Sequence, residues 1–218
     1  MKALITGASR GLGRALAREL TAAGWVVIAD ARDGAALADA LPDAVTIAGD
    51  ITGPWHRAAL AEAAGDSLDL LVNNAGTLGA APLPALADYP LDELRAAFET
   101  NVIAPLALTQ LLLPALRAAS GAVLTITSDA AVEPYPGWGG YGATKAALEQ
   151  ASAVLAAEEP AIRVWRADPG DLRTDMHQAA FPGADISDRP LPESVLPGFM
   201  KLIGDRLPNG RYTIGDLG

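Results

Sequence analysis

Short apolar runs alternate with stretches of helical spacing along most of this chain. Ala3–Thr6 is apolar and stops at Gly7. Leu12, Leu16 and Leu20 then recur on one face of a helix predicted over Arg14–Ala23, which ends at Gly24. Trp25–Ala29 is a continuous apolar run with paired valines, as in a strand buried on both faces. This is one β-α-β unit in about 30 residues, the length such a unit needs. The same texture predicts strands at Ala44–Ala48, Leu68–Asn73, Ala122–Thr127 and Ile162–Ala167, with helices at Ala58–Ala64, Leu91–Leu116 and Tyr141–Glu158. Repeated alternation of this kind implies an α/β fold: a Rossmann-like, doubly wound parallel sheet between two helical layers.

The pattern breaks after Ala167. Residues 168–198 hold five prolines, among them Pro169, Pro182 and Pro197, and show little periodicity. A long loop in a compact domain is usually functional. A short helix (Val195–Ile203) and a last strand (Arg211–Ile214) follow. No composition shift or repeat marks a second unit, so the expectation is one domain over residues 1–218, with 171–200 as the loop region on the substrate side.

Composition narrows the functions. Half of the 218 residues are hydrophobic and only 19% are charged, which argues for a packed core. The formal net charge of -10 disfavours binding to nucleic acid. With no cysteine, thiol chemistry and Cys-ligated metals are excluded. His56 and His177 have no ligand-spaced partner, so no metal site is expected. Met1–Ile5 has neither the length nor the apolar core of a signal peptide. The Leu-rich stretch Leu106–Leu116 is too short for a bilayer span and contains Pro114. A cytoplasmic protein without a membrane partner is the expectation.

Four segments can carry chemistry. Thr6-Gly7-Ala8-Ser9-Arg10-Gly11-Leu12-Gly13 joins a strand to a helix; its glycines allow close backbone approach, and the helix start presents free N–H groups to a pyrophosphate. Asp30, at the end of the second strand, could accept from a ribose 2′-hydroxyl, which favours NAD. Arg10 and Arg32 pull towards a 2′-phosphate, hence NADP; the balance leans to NAD. Asn73 and Asn74 close a buried strand, where parallel sheets bind ligands. Tyr141 and Lys145 lie i, i+4 on one helical face. A tyrosine titrates near ~10, and a neighbouring ammonium lowers that value.

Two further residues join them. Ser128 ends a strand at the same sheet edge, and its hydroxyl could donate to a developing alkoxide. Asn101 sits within a predicted helix four residues before Pro105, which has no N–H. The Asn101 carbonyl thus loses its usual partner and could hold a water, or the proline could simply kink the helix.

Taken together, these segments resemble the short-chain dehydrogenase/reductase family, in its branch with Tyr-x-x-x-Lys. The resemblance runs from Met1 to about Thr174. It rests on Thr6-Gly7-x-x-x-Gly11-x-Gly13, Asp50-Ile51, Asn73-Asn74-Ala75-Gly76, Asn101, Ser128, Tyr141-x-x-x-Lys145 and Pro169-Gly170-x-x-x-Thr174.

The resemblance implies Tyr141 as general acid–base, Lys145 lowering its pKa and holding the nicotinamide ribose, Ser128 polarising the substrate carbonyl, and Asn101 holding a relay water. It implies a cofactor site, for NAD or NADP, of Gly7, Ser9, Arg10, Gly11, Leu12 and Gly13 at the pyrophosphate, Asp30 and Arg32 at the ribose, Asp50 and Ile51 at the adenine. Asn74, Ala75 and Gly76 would line the adenosine and ribose side, and Pro169, Gly170, Leu172 and Thr174 the nicotinamide end. It further implies a small carbonyl or alcohol substrate, and a homodimer or homotetramer.

Trp138, Tyr135 and Glu133 are expected to face the substrate. The segment after Thr174 is compressed relative to the family's usual form. A non-catalytic dinucleotide sensor or scaffold is the alternative, and the complete set Asn101, Ser128, Tyr141 and Lys145 argues against it.

Overall fold

The computed structural model describes residues 1–218. Seven parallel strands form one sheet in the order β3-β2-β1-β4-β5-β6-β7: β1 (Lys2–Ile5), β2 (Val26–Ala31), β3 (Val45–Ala48), β4 (Leu70–Asn73), β5 (Ala122–Ile126), β6 (Arg163–Asp168) and β7 (Gly210–Thr213). The order reverses between β1 and β4, so a crevice opens at the carboxyl ends of the central strands.

Alternation within the strands separates the two helical layers. Ala3 and Ile5 face a core shared with Leu12, Leu16 and Leu20 of α1 (Gly11–Ala22) and with Phe199 and Leu202 of α8 (Leu196–Gly204). Leu4, between them, faces Leu60 of α3 (Pro54–Ala64) and Leu108 and Leu112 of α5 (Ala104–Ala118). Burying each such leucine contributes about 1.5–3 kcal/mol. The expected three-layer architecture is therefore present.

The departures are local. Gly34–Ala40 forms a helix, α2, that the sequence reading left out; the Asp33 side chain caps it by accepting from Ala36 N–H. The loop expected over 168–198 holds α7 (Asp175–Ala180), capped by Thr174, and a short 3-10 turn at Pro192–Val195.

The long helix predicted over Leu91–Leu116 is present but not uniform. It is α4 (Leu91–Phe98), a π turn at Glu99–Ile103, and α5. Ala104 N–H reaches back five residues to the Glu99 carbonyl. This widened turn sits just before Pro105, where no N–H is available. Leu91–Ala118 as a whole is long and apolar enough to cross a bilayer by length and composition, which Leu106–Leu116 alone did not suggest, and 44% of its most apolar window is buried in this fold.

Tyr141 and Lys145 lie on α6 (Gly139–Glu158), which starts two residues before Tyr141.

Candidate active site

A cleft of about 1000 Å³ lies across the carboxyl ends of the central strands. Its floor is the glycine turn. Gly7 has φ 68° and Gly11 φ 55°, a region that L side chains rarely adopt. A Cβ on Gly13 would stand 2.5 Å from both the Gly7 carbonyl and Asn74 Nδ2. The first ladder bond of α1 is Arg14 N–H to the Arg10 carbonyl, so the N–H groups of Gly11–Gly13 precede the ladder at the positive end of the helix dipole. Close backbone, free N–H groups and room suit a dinucleotide pyrophosphate.

Asn74 fixes this turn. Its Nδ2 donates to the carbonyls of Thr6 (2.8 Å) and Gly7 (3.1 Å), and Thr6 Oγ1 accepts from the N–H groups of Asn74 and Ala75. The expected lining residues Gly7, Ser9, Arg10, Gly11, Leu12, Gly13, Asp50, Ile51, Asn74, Ala75, Gly76, Pro169, Gly170, Leu172 and Thr174 all border the cleft.

Asp30 borders it too, but not as a free acceptor. Its carboxylate is 2% exposed; Oδ1 accepts from Gly7 N–H at 2.7 Å and Oδ2 meets His56 Nε2 at 2.9 Å. Both oxygens are used inside the protein, so the expected contact to a ribose hydroxyl is corrected to a brace beneath the glycine turn. Arg32 instead is exposed at the rim and makes no hydrogen bond or ion pair within the protein. Arg10 pairs with Asp175 at 3.2 Å, and both are open to solvent. Asp50 is held below the usual carboxylate range by bonds from the Thr52 N–H and hydroxyl.

Ser128, Tyr141 and Lys145 line the other end of the same cleft. Tyr141 is 7% exposed, and burial together with the carboxylates of Asp168 and Asp129 pushes its hydroxyl above the ordinary tyrosine value. These influences oppose the lowering expected from Lys145. The Lys145 ammonium lies 5.5 Å from the centre of the Tyr141 ring and donates to the Ile126 carbonyl at 2.8 Å. Burial also pushes Lys145 itself down to about 8, although Glu149 works the other way. Ser128 Oγ donates to Asp129 Oδ1 at 3.0 Å, beside a bond accepted from Ala130 N–H.

Asn101 stands apart. It does not border the cleft, and its side chain is 1% exposed. Oδ1 accepts from Thr77 N–H, while Nδ2 donates to the Thr77 carbonyl and to Thr144 Oγ1 on α6. Gly76 keeps a gap open between this residue and the lysine: a Cβ there would lie 3.3 Å from Asn101 Oδ1 and 3.9 Å from Lys145 Nζ.

Beside Tyr141, Trp138 borders the cleft and packs edge-on against the tyrosine ring. Tyr135 and Glu133 do not; Tyr135 points to Asp129 Oδ2 and is largely solvated. Leu78, Ala97, Thr100, Met176 and His177 complete this wall. Nothing in the spacing marked the first three, which reach the wall only through the tertiary fold.

A family model described as short chain dehydrogenase matches residues 1–185. The chain is 36% identical to sepiapterin reductase of Mus musculus over 199 residues, 81% of this chain and 76% of that one. It is 40% identical to serine 3-dehydrogenase of Agrobacterium fabrum over 183 residues, 79% of this chain and 72% of that one. Among solved structures, a Shigella flexneri protein in complex with NADP superposes with a TM-score of 0.90 at 28% identity, covering 96% of this chain and 94% of that one.

Proposed function

The chain belongs to the short-chain dehydrogenase/reductase family and is an NAD(P)-dependent oxidoreductase; from that premise we propose that it interconverts a carbonyl and an alcohol with NADP(H), using Tyr141 as general acid–base. One observation carries the reading. Ser128, Tyr141 and Lys145 line one end of the cleft whose other end is the glycine turn. These residues would hold the nicotinamide end of the cofactor, which would supply the hydride chemistry between a carbonyl and an alcohol carbon.

The protein's own groups handle the proton and the charge. In reduction Tyr141 gives its phenolic proton to the carbonyl oxygen; in oxidation the phenolate takes the alcohol proton back. Raised by burial and two carboxylates, the hydroxyl is a neutral acid at neutral pH. Ser128 Oγ–H turns from Asp129 to the substrate oxygen, which exchanges one hydrogen bond worth about 1 kcal/mol for another. Below about 8 the Lys145 ammonium is charged and supports a phenolate across the short gap to Tyr141. Proton return by way of the Asn101 carbonyl is supported by Pro105, which lacks an N–H for it, and by the space that Gly76 leaves beside Lys145.

Preference for NADP(H) rests on Arg32. It is a free guanidinium at the rim, and Asp30 offers no open oxygen to a 2′-hydroxyl. The Shigella flexneri protein, solved with NADP, agrees with this choice. The names of the two curated relatives point to different substrates, so the proposal stops at carbonyl compounds with an apolar body, which suits the wall of Trp138, Leu78 and Met176.

Steady-state turnover of a panel of ketones and aldehydes with NADPH and with NADH tests this. NADPH should give the higher kcat/KM. Tight NADPH binding with no turnover of any compound would overturn the catalytic reading.

A further inference from the structure

A second group of charges lies where β5, β6, β7 and α6 meet. Arg211, on β7, donates from Nε to Glu149 Oε1 at 3.0 Å and from a terminal nitrogen to Asp168 Oδ2 at 3.0 Å. The same nitrogen reaches the Ser128 carbonyl at 3.3 Å. Glu149 Oε1 also accepts from the Thr127 hydroxyl at 2.6 Å, and Asp168 Oδ1 from Gly170 N–H at 3.0 Å. Glu149 and Asp168 are 8% and 5% exposed.

Each partner belongs to a different part of the reaction centre. Ser128 follows β5. Glu149 lies one turn beyond Lys145 and two beyond Tyr141 on α6. Asp168 ends β6 and leads into Pro169–Gly170. One planar guanidinium thus joins the three segments, a geometry that a lysine, as a point charge, cannot reproduce. Nearly buried carboxylates also need compensation, and Arg211 is the only cation bonded to either.

We propose that Arg211 is a positioning residue for the catalytic centre: it holds the strand ends that carry Ser128 and Gly170 against the Tyr141 helix and neutralises the two carboxylates set beside it. The proposal rests on the reading of Tyr141 given above. The charged groups facing Tyr141 are Lys145 on its own helix, Asp129 beyond β5 and Asp168 at the end of β6, with Asp171 and His177 on the cleft wall beyond β6. Of these carboxylates only Asp168 is tied to Arg211.

The test reads Tyr141 without any substrate. Protein labelled with ¹³C at tyrosine Cζ is titrated with NADP⁺ bound, and Tyr141→Phe assigns the resonance. Arg211→Met should move the Tyr141 midpoint up by about one pH unit, because Asp168 is no longer compensated. Asp168→Asn should move it down by a similar amount, and Arg211→Met/Asp168→Asn should return it to near the parent value. Arg211→Lys should keep the midpoint but lower kcat about tenfold, since charge is retained and the fork is lost.

A purely structural brace would not give opposite shifts that cancel. If Arg211→Met does not fold, Arg211→Gln, which removes the charge and keeps a polar side chain, should give the same upward shift. If the parent resonance does not titrate in the accessible range, Asp168→Asn should bring it in, and adding Arg211→Met to that variant should raise it again. A midpoint unmoved by loss of the Arg211 charge in both backgrounds overturns the proposal. Absence of turnover on the carbonyl panel bears on the function and leaves this titration standing.

Discussion

At the level of single residues, Asp30 and Arg32 stand differently at the cleft: Asp30 is turned inward, and Arg32 is open at the rim. An acidic side chain at the end of β2 reads as a ribose acceptor, and the sequence alone cannot say which way it points. Here it points inward, nearly closed to solvent, with one oxygen on Gly7 N–H and the other on His56. Asp30→Ala should leave those two partners unsatisfied at about 1–3 kcal/mol each. It should therefore lower Tm and weaken NADH and NADPH binding alike; a gain in NADPH preference would contradict the brace. Arg32→Ala should weaken NADPH binding about tenfold, the worth of one charge-assisted contact, and leave NADH binding nearly unchanged. Isothermal titration of both cofactors against both variants checks this.

The elements show where sequence reading is strong and where it fails. Central strands buried on both faces read as apolar runs, and α1 reads from Leu12, Leu16 and Leu20, because burial imposes a period. Gly34–Ala40 carries only two buried residues, Leu37 and Ala40, too few to set a period, so α2 is silent in the sequence. The glycine turn was legible because its need for close approach is strict. Gly13→Ala forces a methyl to within 2.5 Å of the Gly7 carbonyl and Asn74 Nδ2, contacts that backbone must yield to relieve. Cofactor affinity should fall at least tenfold and stability by about 1–3 kcal/mol; a thermal melt with and without NADPH separates the two effects. Pro105 marked an irregularity in its helix, and the π turn that contains Asn101 falls just before it. The Asn101 side-chain clamp on Thr77 and Thr144 left no trace in the spacing.

For the whole molecule, residues distant in sequence converge on one cleft only because the sheet reverses its order between β1 and β4. Ser128, Tyr141 and Lys145 were legible as a set because their order and spacing resemble the family's, whereas Arg211 was not: its partners lie 43 to 83 positions earlier in the chain and meet it only across the folded sheet. The electrostatics of the assembled site predict a pH signature. Tyr141 is held above its ordinary value, so the protonated acid dominates through neutral pH. Carbonyl reduction should stay flat from about pH 6 to 8, while alcohol oxidation, which needs the phenolate, should rise about tenfold per pH unit over the same span. Parallel profiles in the two directions would exclude a single tyrosine as the shared acid and base.

The central claim is that Tyr141 carries the proton in an NADPH-dependent carbonyl reduction. NADPH consumption by the parent protein and by Tyr141→Phe, followed by the loss of its near-ultraviolet absorbance with the best ketone of the panel, tests it most directly. The account predicts that kcat falls about 10² to 10⁴-fold in the variant while NADPH binding is unchanged. A variant that turns over as fast as the parent would contradict it.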